Sequence, residues 1–498
     1  MLKKIIGATL FTFVIFLFCY FRLKPLYFQT VGYTYDQGRD FLKAAEIILD
    51  KNITFIGPTT GIQGLFHGAW YYYLLLIPFI IFKASPIGFY YFNFFIQLLS
   101  FLFFAYFLKK FFGPLVALII SVIVSTSPYF IFTSTFIGNN IFVLPFFLAF
   151  LLVNFLLIED KVNKFKLFLL ISGLLVGFIT EFELAFGLFL IPSYLLFIIF
   201  LKKLRSIYFQ KKNFLFALIG LIIPFIPRLL FELKNNFMQT RNFFIYLTSL
   251  NTQISRSFGQ ILQERVNLFY GYFNSLFLND TALKVFLIFF ILLIYFFSEF
   301  RIKKYYQSIH FFILLSALLF FLSSLSRTDF FWENYYEGIQ YLILLILALA
   351  LTIDIKINLF LFNFAKINLL IILLIISLNS ILKDFKVKPN SFGTLKQLSQ
   401  IIYFIHSNEN KKSNYCVKVY TPPVIPYTYN YLFLYEKLSK NIPTPQSDWV
   451  NEKCWFIIEP DDNKERRAQW LNKNIPRLAK TAKETVIDDI EVVLFELN

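Results

Sequence analysis

The sequence predicts an all-α polytopic membrane protein of about 11 to 13 transmembrane helices, with a small C-terminal α/β domain outside the cytoplasm. Three observations predict it. The chain of 498 residues is 58% hydrophobic and only 15% charged, against about half and about a quarter in soluble domains. Apolar runs near the ~20 residues that cross ~30 Å of hydrocarbon recur through the first three quarters. The composition then turns polar near residue 385. A disordered chain is excluded by an aromatic content of 21%. A β-barrel is excluded because the runs do not alternate with period two. The net charge of +17 reads as Lys and Arg held in cytoplasmic loops, so no nucleic-acid partner is expected.

The first apolar run spans Ile5 to about Phe21, after Met1-Leu2-Lys3-Lys4. No small-x-small cleavage pattern follows, so it reads as an uncleaved helix with a cytoplasmic N-terminus. A polar loop, 22–68, comes next. Further apolar runs centre near residues 76, 98, 123, 149, 173, 192, 222, 291, 317, 345 and 374. The basic segments Lys161 to Lys166, Lys202 to Lys212, Arg301 to Lys304 and Lys356 with Lys366 belong inside. Segments 134–140, 232–282 and 326–337 and the tail then fall outside. Counting back puts loop 22–68 inside, whereas the N-terminal Lys pair puts it outside. Either one boundary between 69 and 158 is misplaced, or an extra short crossing exists. Residues 1–384 read as the transmembrane domain and 385–498 as a small soluble domain. In the latter, Asn414 to Thr421, Cys454 to Glu459 and Asp488 to Leu497 read as strands. Phe392 to His406 and Lys464 to Asn472 read as helices. An extracytoplasmic tail would permit a Cys416–Cys454 disulfide, but whether the two pair cannot be read from the sequence. No repeat, P-loop, GxGxxG or HExxH is present.

Chemistry concentrates in the first polar loop. Tyr35-Asp36-Gln37-Gly38-Arg39-Asp40 follows the first helix. If helical, it puts Asp36 and Asp40 on one face with Lys43 a turn on. The loop turns at Ile56-Gly57-Pro58 into Gly64-Leu65-Phe66-His67-Gly68-Ala69-Trp70-Tyr71-Tyr72-Tyr73. A solvated amphipathic helix on the membrane explains the charges equally well by themselves. These residues and the helix count resemble the GT-C glycosyltransferases, in the protein-mannosyltransferase and lipid A aminoarabinose-transferase branch. Two positions depart from that pattern. Asp36-Gln37 stands where two adjacent acids are usual, and Ala69 replaces a proline.

The resemblance implies a membrane glycosyltransferase that takes a sugar from a polyprenyl-phosphate donor. The acceptor would be a lipid, glycan or protein, and the site would face outward from a plasma (inner) membrane. Inverting transfer needs one carboxylate to take the acceptor proton, and Asp36 is the candidate base. The leaving phosphate needs cations rather than an acid. Candidates are Arg39, His67, Arg228, Arg241 and Arg327. Gln37, Asp40, Glu232, Tyr72 and Tyr335 are candidate supports. Pro224 and Pro227 should kink the chain near the outer surface, with Arg228 and Glu232 sharing a face. That pair reads either as a surface ion pair or as a phosphate ligand with its orienting acid. Glu181 and Glu183 read as a solvated helix end, with a donor or acceptor contact the less favoured reading, and His310 and His406 as structural or solvated. No cofactor is expected, and no metal site. A divalent ion between Asp36 and Asp40 is the less favoured reading. The alternative function is a transporter or flippase of a lipid-linked glycan, which would hold ionisable groups near the midplane. Here the charges sit mostly at helix ends and in outer loops.

Overall fold

The structure, a computed structural model, describes residues 2–159, 164–249, 256–278, 283–290, 307–327, 331–352, 359–386, 393–409, 413–422 and 424–497. Lys161, the segment Arg301 to Lys304, Asp329, Lys356, Phe392 and the side chain of His310 lie outside the described residues, as does much of the run near 291. Among the described residues six helices are long and apolar enough to cross a membrane. Two bent pairs bring this to eight, and three shorter apolar helices accompany them.

Helix α1 (Leu2–Tyr27) continues past the expected start of the loop. Arg22 is the reason it can do so. The side chain is fully buried and donates to Ser125 O at 2.8 Å, Val124 O at 3.0 Å and Ser134 Oγ at 3.1 Å. Those carbonyls are left over where Pro128, which has no N–H to give, breaks the next span. That span is α5 (Pro114–Thr126) followed by α6 (Pro128–Thr135), bent by 58°. Arginine and helix break thus satisfy each other inside the membrane.

The loop after α1 holds α2 (Tyr35–Leu49) and a hairpin of β1 (Ile56–Thr59) and β2 (Phe66–Gly68). It leads into α3 (Trp70–Ile81), which at 12 residues is only ~18 Å long and cannot span ~30 Å of hydrocarbon. Both its ends lie on one face. Tyr431 of the C-terminal domain donates to Ala84 O at 2.8 Å. Tyr90, at the start of α4 (Pro86–Phe112), donates to Gly32 O at 2.7 Å. The run near 76 therefore starts and ends on the side of the first loop and does not count as a crossing, which removes the conflict over that loop.

With that one crossing removed, the later helices alternate consistently. They are α7 (Val143–Ile158), α8 (Phe165–Phe182), α9 (Leu184–Phe200), α10 (Lys202–Phe209), α11 (Phe214–Ile222), α12 (Ile226–Lys234) and α13 (Met238–Ser249). Counting the spans from the first loop puts Lys109 and Lys110 ending α4, Lys164 and Lys166 opening α8, and Lys202, Lys203 and Arg205 of α10 on the face opposite it. Helix α10 turns 96° from α9. Its Leu204, Ile207 and Tyr208 are buried, as expected of an amphipathic helix lying in the interface. Helices α14 (Phe258–Asn274), α15 (Gln307–Ser324), α16 (Ile339–Ala350) and α17 (Leu359–Lys386) complete the bundle.

The C-terminal residues form a four-stranded sheet in the order β3-β4-β6-β5. Strand β3 (Val417–Tyr420) runs parallel to β4 (Lys453–Ile458). Strand β6 (Ile490–Leu497) joins β4 antiparallel, and β5 (Ala479–Ile487) joins β6 antiparallel. Helices α18 (Leu395–Asn408), α19 (Tyr427–Lys440) and α20 (Lys464–Asn474) pack around them. The sequence reading missed α19 and β5. Strand β5, Ala-Lys-Thr-Ala-Lys-Glu-Thr-Val-Ile, is an exposed edge held by backbone pairing to β6, and its charges guard that edge. Helix α19 is rich in tyrosine, which carries a strand-like preference that tertiary packing overrides. Cys416 and Cys454 are joined as a disulfide, with Cα atoms 4.6 Å apart.

Candidate active site

A cavity of about 1030 Å³ opens on the face of the first loop. Helix α2, the β1–β2 hairpin, segment 136–140, the α8–α9 turn, α13, and Ser326, Arg327, Trp332, Asn334 and Tyr335 wall it in. It brings Asp36, Arg39, Asp40, His67, Arg327 and Tyr335 to one space.

Helix α2 is amphipathic and starts where Gln37 folds back to accept from Thr34 N at 2.8 Å. Gln37 also donates to Ile137 O at 2.5 Å. It is therefore a buried brace that ties α2 to segment 136–140. Asp36 is 62% exposed and meets Arg39 Nη1 at 2.9 Å through Oδ1. Its other oxygen takes no protein donor among the described residues. Asp40 is buried, and its Oδ1 accepts Arg39 Nε and Nη2, both at 2.8 Å. Tyr72 is buried beneath it and donates to the same oxygen at 3.4 Å. Burial pushes the Asp40 carboxyl up to about 6, although Arg39 opposes this. One guanidinium thus bridges a cavity-facing acid and a buried one.

His67 sits in β2, buried, with Nδ1 accepting weakly from Leu184 N at 3.5 Å. Burial, with Arg228 and Arg39 nearby, pushes it down to about 3. His67 is therefore neutral near pH 7, with its proton on Nε2. The expected imidazolium is corrected to a neutral hydrogen-bond donor.

Arg228 does not line the cavity. It pairs with Glu181 at 2.7 Å and donates to Phe66 O at 2.9 Å and Gln239 Oε1 at 3.0 Å. It braces the hairpin that carries His67. Glu181 is fully buried rather than solvated, and it packs so closely on Gly68 that a Cβ there would stand 2.0 Å from its Oε2. Glu232 does not orient Arg228. It caps α13, accepting from Gln239 N and Thr240 N at 3.0 Å each. Although i,i+4 spacing puts Arg228 and Glu232 on one helix face, each finds a partner on another element. Arg241 is exposed on α13, outside the cavity wall.

Arg327 does line the cavity. Its Nη2 donates to Tyr246 OH at 2.6 Å, and its guanidinium lies 5.2 Å from the Tyr335 ring centre. Arg265, fully buried, holds the Arg327 carbonyl at 3.1 Å and the Ser324 carbonyl at 3.1 Å. The sequence reading gave Arg265 no role, because one Arg in a long polar segment carries no local signal.

Two buried acids follow, Glu183 in the wall and Glu337 behind it. Glu183 caps α9 through Ala185 N at 3.4 Å, and its second oxygen takes no protein donor among the described residues. Burial, reinforced by Glu337, pushes it up to about 8. Glu337 lies behind it, accepting from Tyr129 OH at 2.6 Å and Asn140 Nδ2 at 2.8 Å. Burial still pushes it up to about 7. Asp40, Glu183 and Glu337 thus all have folded values above their unfolded ones, so the folded state holds protons that the unfolded chain releases. Their contribution is full below about pH 4 and is lost as pH rises through about 6 to 8. The thermal midpoint of the detergent-solubilised protein is expected to fall between about pH 5 and about pH 8.5, and Glu183→Gln to flatten the upper part of that fall. A midpoint that rises over this range would contradict the assignment.

No group of three or more His, Cys, Asp or Glu that could hold a metal ion occurs among the described residues. No family model and no curated protein matches the sequence. The fold does have solved counterparts. ArnT from Cupriavidus metallidurans in the apo state is similar with a TM-score of 0.58 and 10% identity, over 99% of this chain and 97% of that one. The same protein bound to undecaprenyl phosphate is similar with a TM-score of 0.56 and 9% identity, over 98% and 97%. The chain therefore has the ArnT fold from end to end: a multi-pass helical membrane body with a C-terminal mixed-sheet domain.

Proposed function

We propose that this protein is a GT-C-type membrane glycosyltransferase that takes a sugar from a polyprenyl-phosphate donor and passes it to a hydroxyl of a lipid, glycan or protein. One observation carries the reading. On a fold shared with a protein that binds undecaprenyl phosphate, one cavity gathers an exposed carboxylate with an open oxygen, Asp36, and two arginines, Arg39 and Arg327. Asp36 takes the acceptor proton as the sugar inverts. Arg39 and Arg327 neutralise the departing lipid phosphate, a role suited to the guanidinium fork. Neutral His67 adds a hydrogen bond through Nε2. Asp40 keeps Arg39 in place.

The site and the C-terminal domain are extracytoplasmic in this reading. The lysine-rich turns on the opposite face support it through the positive-inside bias, and the Cys416–Cys454 disulfide suits an oxidising compartment.

Purified protein in lipid vesicles, given labelled polyprenyl-phosphate sugar and a mixture of membrane acceptors, tests the proposal. Transfer of label to an acceptor is the expected result. Movement of the labelled lipid across the bilayer without transfer would identify a flippase instead, and neither outcome would leave the cavity without this chemistry.

A further inference from the structure

The C-terminal domain is packed on the helix that carries Asp36 and Asp40. Its first residues pair with the chain just before α2: Leu395 N donates to Val31 O at 3.0 Å, Lys396 N to Gln29 O at 2.9 Å, and Gly393 O accepts from Tyr33 N at 3.2 Å. Helix α19 then lies along α2. The rings of Tyr35 and Tyr427 are 4.9 Å apart, and Tyr431 packs its ring on Phe41 at 5.3 Å. At the centre of the contact is Gly38. A Cβ there would stand 2.4 Å from Thr428 N and 2.6 Å from the Tyr427 carbonyl carbon. Both are backbone atoms that no rotamer change can move.

The helical period gives this contact its consequence. Asp36 and Asp40 flank Gly38 by two residues on either side, which places each ~200° around α2 from it. The face pressed on α19 is thus opposite the face that presents the two acids to the cavity. Anything that separates α2 from α19 drives Asp36 along the line into the cavity. Glycine is a poor helix former, so the close approach is the physical reason to keep it in the middle of α2.

We propose that α19 of the C-terminal domain sets the depth at which α2 presents Asp36, and that Gly38 is the positioning residue that lets the two helices meet. The catalytic meaning of this rests on the functional reading above, whereas the mechanical coupling does not. Restoring ordinary contact around an alanine at 38 moves α2 by about 1 Å, and a misplacement of that size can cost about 100-fold in rate.

Two readouts test it. Turnover of labelled donor should fall about 100-fold in Gly38→Ala, with the donor KM changed less than about 5-fold. Tyr427→Leu, which removes the ring contact without a clash, should lose about 10-fold, and Tyr35→Leu/Tyr427→Leu no more than the worse single variant, because both remove one contact. Wild-type kcat in either folded single variant, or multiplying losses in the double, would overturn the proposal. Hydrogen exchange over residues 35–49 provides the second readout, independent of turnover. Tyr427→Leu should speed exchange in α2 and leave α4 unchanged, and an unaltered α2 would overturn the coupling. If wild-type protein transfers no sugar while α2 still loosens, the functional reading fails and the coupling stands.

Discussion

Asp36→Asn is expected to lower sugar transfer by about 100- to 10,000-fold, the range lost with a positioned general base. The amide keeps the shape of the side chain and removes its basicity. Little else should change. Asp36 is 62% exposed and makes one ion pair, with Arg39 at 2.9 Å, and exposed pairs contribute about 0 to 1 kcal/mol. Expression, membrane insertion and thermal midpoint should therefore match wild type. Donor binding should hold or improve, because a negative charge leaves the neighbourhood of the arginine proposed to hold phosphate. A fall in kcat at near-constant donor KM is the signature of a group that acts in the transition state. A variant that keeps more than about a third of its activity would remove Asp36 from the role of base. Asp40 would be the next carboxylate to test, although its Oδ1 is already occupied by Arg39 and Tyr72.

Arg39→Ala carries the second large effect, in two measurable parts. Removing the guanidinium leaves Asp40 buried without its cation, and because its carboxyl already stands at about 6 the stranded charge is relieved by a proton near pH 7, which holds the loss to about 1 to 2 kcal/mol. It also removes one of two cations beside the proposed leaving phosphate, which is worth about 100- to 1000-fold in rate. The double variant Arg39→Ala/Asp40→Asn separates the parts. It should recover most of the thermal stability, because no buried charge is stranded, and none of the transfer activity. Recovery of both would show that Arg39 serves only to neutralise Asp40. Arg39→Lys should fall between, since one ammonium cannot reach Asp36 and Asp40 with the geometry of a fork.

The membrane body and the polar tail were readable from composition alone, because burial in hydrocarbon demands runs of apolar residues whatever the fold does with them. The first-loop acids stood out for a related reason: charges beside a bilayer are costly and therefore sparse. Strand β5 and helix α19 were not readable, since one is a polar edge pinned only by backbone pairing and the other a tyrosine-rich helix fixed by packing against α2. The run near 76 shows the same limit within the membrane. Its hydropathy resembles that of its neighbours, and only its 12-residue length and the hydrogen bonds of Tyr431 and Tyr90 at its far end show that it does not cross.

Charge pairing is where sequence and structure part most clearly. Residue types and local spacing determined that Asp36, Arg39, Asp40 and His67 lie together, because one short loop carries them all. They also nominated Arg228 and Glu232 as a pair. Tertiary packing decided that Arg228 instead meets Glu181, 47 positions away, that Glu232 caps α13, and that Arg327, Tyr335 and Glu183 arrive from three-dimensional neighbours. The physical reason is range. Helical periodicity relates residues a turn apart, whereas a buried charge settles on whichever partner best repays its desolvation, however distant along the chain.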